Sequence, residues 1–163
     1  VAALKGAAGR GAAVRALLDP NKDAFGRTKN GVPNRPVAAE LHRTPGIEVR
    51  WCATHGEQCH AKMVLVRPAA AGATLILGSA NLTRRNIDGL NLELDLVLHA
   101  PSDAPAIVDA TAYFERVWGN LDADGVGHRG RNGYSADYAA HADEGWAKRW
   151  LYRFMEASGV STF

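Results

Sequence analysis

Residues 60–95 read HAKMVLVRPAAAGATLILGSANLTRRNIDGLNLELD. His60-Ala61-Lys62 opens the stretch, Gly78-Ser79-Ala80-Asn81 closes a second apolar run, and Asn91-Leu92-Glu93 leads into a third. Short apolar runs predict strands over 61–67 and 73–78, joined by the small-residue loop PAAAGA, and alternation of apolar and polar positions predicts a third over 92–99. On the third strand Leu92, Leu94, Leu96 and Leu98 share one face, with Glu93, Asp95 and Val97 on the other.

The polar residues of this stretch suit phosphate chemistry. His60 and Lys62 are two apart on a predicted strand, so their side chains leave the same face. Ser79 and Asn81 follow the end of the next strand, where side chains and backbone N–H groups open toward an anion. If the three strands are neighbours, the five polar groups converge at one sheet edge, where ligands often bind in α/β folds. An imidazole attacks phosphorus when a carboxylate holds its other nitrogen, and Glu93 is the candidate carboxylate. Lys62, Ser79 and Asn81 can donate to the non-bridging oxygens. With side chains supplying the positive field, no metal and no cofactor is called for. Cys52, His55, Cys59 and His60 match no common zinc spacing, and DADG at 122–125 is too short for a calcium loop.

The flanking chain reads as scaffold and rim. Residues 1–12 are the end of an alanine-rich helix closed by Gly9 and Gly11, and 13–18 are a short strand stopped by Asp19-Pro20. The loop 20–36 carries Lys22, Arg27, Lys29 and Arg35; Lys22 and Lys29, with His55 just ahead of the motif, are the candidate substrate-binding residues. A short helix spans 36–44, with Pro36 in its first turn, and a strand spans 47–52. A helix over 103–118 takes Ser102 as N-cap and stops at Gly119-Asn120. Residues 121–145 are expected as a loop, open to the role of a flap over a site. A last helix over 143–157 sets Trp146, Trp150 and Phe154 four apart as a core-packing stripe. Cys59 alternates with His60 and is expected to point into the opposite layer as a small apolar residue. His42, His99 and His141 are expected to be ordinary core or surface histidines.

Composition bounds the partners. A length of 163 residues is enough for one α/β domain or half of a larger one, with 47% hydrophobic residues and no long charge-free run to span a membrane. A net charge of +2 does not by itself call for nucleic acid. Two cysteines make no disulfide framework and say little about the redox compartment. The chain starts at Val1 with neither an initiator methionine nor a signal segment, so we expect a piece of a longer protein, with any address signal in the remainder. We expect a soluble domain whose compartment, cytoplasmic, secreted or periplasmic, is unassigned.

His60-x-Lys62 followed by Gly78-Ser79-x-Asn81 resembles the HKD signature of the phospholipase D superfamily, and Asn91-x-Glu93 resembles the same family. VRALLDP, HGEQCHAK and the YFERVWGN helix look like the second, C-terminal half of bacterial two-motif members. The resemblance covers roughly residues 1–120. It implies a mixed β-sheet flanked by helices on both faces, one phospholipase D-like domain over 1–163, and two halves sharing one site. It also implies a phosphohistidine intermediate, with one histidine attacking phosphorus and the other protonating the leaving alcohol. The second motif would come from a missing half or from a dimer mate.

The family pattern departs at position 67, where Arg67 stands in place of an aspartate of structural, ion-pairing role; Asp88 or Asp95 is a candidate to supply that carboxylate instead. The reading is a phosphodiesterase or phosphatidyltransferase acting on phospholipid. A nuclease of the same superfamily is the alternative, weakened by the absence of a basic stripe with interleaved aromatics. A degenerate half that binds phosphate without turnover is the third reading.

Overall fold

Ala2–Gly9 forms helix α1, and Gly46, in the left-handed region at φ +81°, turns the chain into the strand Ile47–Cys52. In this computed structural model all residues are described except 25–26, 71, 123–124, 126, 128–132, 144 and 159–163. The described chain is α/β and carries the mixed sheet with flanking helices expected from the sequence. Its contacts divide it into two units, one from Val1–Cys59 together with the chain from Gly127, the other from His60–Val126.

In the first unit, β1 (Val14–Leu18) runs parallel to the strand Ile47–Cys52, with Val14 opposite Ile47 and Leu18 opposite Trp51. Between them lie a small hairpin, β2 (Asp23–Ala24) and β3 (Arg27–Thr28), and helix α2 (Asn34–His42); Ile47–Cys52 is therefore β4. The hairpin lies inside the stretch expected as loop; two residues a side are too few to show alternation. Helix α2 buries Pro36, Ala38, Ala39 and Leu41; of these Ala38 and Leu41 join Ile47, Val49 and Trp51 in a core that also takes in Ala8 of α1.

Three expectations fail in this unit. Part of the expected loop 121–145 is ordered: β8 (Ser135–Asp137) pairs antiparallel with β4, followed by a 3-10 helix at Tyr138–His141. Long-range polar contacts hold it, which no local pattern displays. Arg50 bonds Asp137 at 2.8 Å and Ser135 at 3.1 Å, and the Trp51 indole donates to the Tyr138 carbonyl at 2.8 Å. His42 stacks on Tyr138 at 3.8 Å and His141 meets Trp51 edge-on, so both are packing histidines. Residues 128–132, at the centre of the expected flap, lie outside the described residues.

Cys59 is not a free apolar residue: it is disulfide-bonded to Cys52, with Cα atoms 6.1 Å apart. The aromatic stripe of the last helix is not core either. In α5 (Trp146–Ser158), Tyr152 is buried at 8% exposure, whereas Trp146, Trp150 and Phe154 are 78%, 69% and 58% exposed. Periodicity located a face of the helix, and packing against α2 chose the other one.

The second unit is an antiparallel sheet of β5 (Met63–Val66), β6 (Ala73–Gly78) and β7 (Asp95–Ala100), in that order. Cross-strand rows Leu65–Leu75–Leu98 and Met63–Leu77–Leu96 lie on one face. Helix α4 (Pro105–Gly119) seats the fully buried Ile107 on Ala73 and Leu75. Its N-cap is Ala104, with no side-chain cap bond, rather than Ser102, and it stops as expected at Asn120, the C-cap, which takes φ +53°. Between β6 and β7 lies the short helix α3 (Arg84–Ile87). The third strand begins three residues later than expected, leaving Leu92 and Leu94 before the ladder.

Candidate active site

Gly78 is the last residue of β6 and stands opposite Asp95. A Cβ at 78 would collide with the Asp95 carboxylate and the Leu94 carbonyl, so only glycine lets the strands close here. The following residue takes over the pairing. The Ser79 N–H donates to the Leu94 carbonyl at 3.1 Å, and its hydroxyl accepts from the Leu94 N–H at 3.0 Å. That hydroxyl donates in turn to Glu93 Oε2 at 2.6 Å. Asp95 Oδ1 accepts from the Ala80 N–H at 3.2 Å, holding the turn from below. GSxN and NxE are thereby joined into one structure.

The other oxygen of Glu93 accepts from the side-chain amide of Asn86, a buried residue of α3. Thr83 orients that amide, donating from its hydroxyl to Asn86 Oδ1 at 2.8 Å. Arg85 donates to Asn91 Oδ1 at 2.9 Å, so the asparagine of NxE anchors the loop. Asn86 and Thr83 escaped sequence reasoning. The available signal was their T-x-x-N spacing ahead of NxE, where a short turn brings an amide back onto a carboxylate.

Lys62 and His60 lie on the lead-in to β5, because the ladder starts at Met63. The Lys62 ammonium donates to the His60 carbonyl at 2.7 Å. Partial burial pulls the Lys62 pKa below its ordinary value, and the Glu93 carboxylate within electrostatic reach pulls it back up. The His60 ring is exposed, as is Asn81, and neither side chain is committed to a bond among the described residues. Glu93 is bonded to Ser79 and Asn86, and among the described residues no bond joins it to His60. Beside Lys62 an apolar groove of about 460 Å³ is lined by Met63, Leu75, Leu77, Gly78 and Tyr113.

Arg67 is exposed just after β5, and Asp95 is engaged in the Ser79 turn rather than near position 67. The three candidate rim residues belong to the other unit. Lys22 donates to the Thr54 carbonyl at 2.8 Å, Lys29 is exposed, and His55 faces Glu57 at 3.6 Å. Among the described residues no group of three or more His, Cys, Asp or Glu side chains could hold a metal ion. No described helix is long and apolar enough to cross a membrane.

A family model described as cardiolipin synthase, PLD-like domain, matches residues 1–118. The chain belongs to the phospholipase D-like family. That membership makes phosphodiester chemistry the common ground of the fold and covers every residue of the Ser79–Glu93 network. Helix α5 lies outside the matched residues. No curated protein and no solved structure matches this phospholipase D-like chain.

Proposed function

We propose that this chain is one half of a phosphodiesterase acting on phospholipid-type phosphodiesters, with His60 supplying one of two imidazoles. The observation that carries the reading is the Glu93 carboxylate, clasped by Ser79 and Asn86 and set against the Lys62 ammonium. Polar groups of three segments are thereby held at the end of one sheet, and the His60 imidazole and Asn81 amide are uncommitted among the described residues. The apolar groove next to Lys62 supports an ester with an apolar part.

The chemistry divides between two imidazoles. One attacks phosphorus, forming a P–N bond as the P–O bond to the leaving alcohol breaks. The second gives that alkoxide its proton. Water then gives a proton to the second imidazole and attacks phosphorus, and the P–N bond breaks to restore the first. Lys62 and Asn81 donate to the non-bridging oxygens. Ser79 carries one hydroxyl proton, and it is directed at Glu93, so its part is to hold the carboxylate and the turn. The other described histidines are stacked, bonded or distant in sequence from a lysine in His-x-Lys spacing, which supports a second motif supplied from a missing half or a dimer mate.

His60→Ala in the full-length protein should abolish phosphodiester turnover while the melting transition stays in place. Wild-type activity in that variant would end the assignment. Comparing a phosphatidyl ester with single-stranded DNA separates lipase from nuclease, and phosphate affinity without turnover in the complete protein would mark a binding half.

A further inference from the structure

Helix α5 turns its most apolar side to solvent. Trp146, Trp150 and Phe154 follow one another at four-residue steps and are 78%, 69% and 58% exposed; Leu151 beside them is also exposed. At ~100° per residue these four span an arc of about 140°, and the buried Tyr152 lies on the opposite side. Arg153 and Arg149 border one edge of the arc and Lys148 lies beyond the other. The one acid of the helix, Glu156, lies next to Arg149 and pairs with Arg153 at 4.0 Å, and Lys148 is bonded to Asp143, so the charge at the edge of the arc rests on Arg149. Arg153 remains 54% exposed at its side chain despite its bond to Glu40.

We infer that α5 is a docking face for an anionic phospholipid surface. Indole and phenyl rings suit the water–hydrocarbon boundary, and cations beside them meet the phosphates. The charge pattern decides between this and a second copy. A symmetric pair of α5 faces would set the Arg149 edge against the same edge of the partner, like charge against like. An anionic surface instead neutralises Arg149 and adds to the compensation Arg153 already has from Glu40 and Glu156. The inference goes beyond the phosphodiesterase reading and rests on none of the residues assigned to it.

The test uses the full chain and vesicles of phosphatidylcholine with or without phosphatidylglycerol. The chain should co-sediment with the anionic vesicles, with a blue shift in emission from Trp146 and Trp150. Trp146→Ser/Trp150→Ser/Phe154→Ser should abolish binding with the fold intact, because the side chains replaced are exposed. Arg149→Glu should weaken binding by about thirtyfold on anionic vesicles only. His60→Ala should bind like wild type, so loss of catalysis and loss of docking are scored separately. Failure of wild type to bind, or undiminished binding by the triple variant, would overturn the inference. So would a triple variant that instead converts a dimer to a monomer, which would assign the face to a second copy.

Discussion

At the scale of single residues, Lys62 and Glu93 define what the site can hold. Burial disfavours the Lys62 ammonium, so its pKa in the fold lies below the ordinary 10.5, with Glu93 opposing the shift. The unfolded chain then binds that proton more tightly than the folded one. Charged Lys62 therefore costs stability at neutral pH, and the cost is relieved as pH rises from the folded pKa toward 10.5. Activity should run the other way, falling on the alkaline side below 10.5 as the cation is lost. Glu93→Gln removes the charge that favours the ammonium, so the alkaline limb of a kcat–pH profile should move to lower pH. A limb that stayed put would show that Lys62 does not feel Glu93. The types and order of these residues were legible in the sequence. The Glu93 partners were not, since Asn86 reaches the carboxylate only because α3 turns it back.

Among the elements, the segment between β4 and the His-x-Lys motif is the most altered from its sequence reading. The Cys52–Cys59 disulfide closes a short loop of the chain, and the Cys59 N–H also donates to Asp19 Oδ2 at 2.7 Å. Loop-closure entropy for a ring of this size corresponds to roughly 2.5 kcal/mol. Cys59→Ser should lower the urea-unfolding free energy by about that amount, and dithiothreitol should do the same to wild type but not to the variant. Identical urea midpoints with and without reductant would contradict the bridge. Strands β1 and β6 were legible as short, largely apolar runs bounded by glycine or proline, and β4 by its alternation after Pro45-Gly46. The short β8 was not, because the Arg50–Asp137 and Trp51–Tyr138 contacts that hold it span more than eighty residues.

For the molecule as a whole, the proposed shared site carries a prediction about association. Every large apolar side chain from Leu82 to Val97 is more than half exposed, with Leu92 at 104% and Leu94 at 82%. Such a run beside the candidate site exceeds what a monomer ordinarily leaves bare, which favours the proposed second half seated there. In sizing chromatography Leu92→Ser/Leu94→Ser should run smaller than wild type and lose phosphodiester turnover together with the association. A wild type that is monomeric and fully active alone would contradict the shared site.

The kind of chemistry and the class of fold were already present in the linear chain. His60, Lys62, Ser79, Asn81 and Glu93 stand close to the ends of three strands whose presence, though not their first residues, local hydrophobic patterning marks without help from distant residues. Other features needed the folded chain. These are which partners Glu93 holds, that Cys59 is bridged, that 135–141 is ordered, and that α5 turns its tryptophans outward. Each depends on residues far apart in sequence competing for the same space, and periodicity reports only that a helix has an apolar side, not which side its neighbours will cover.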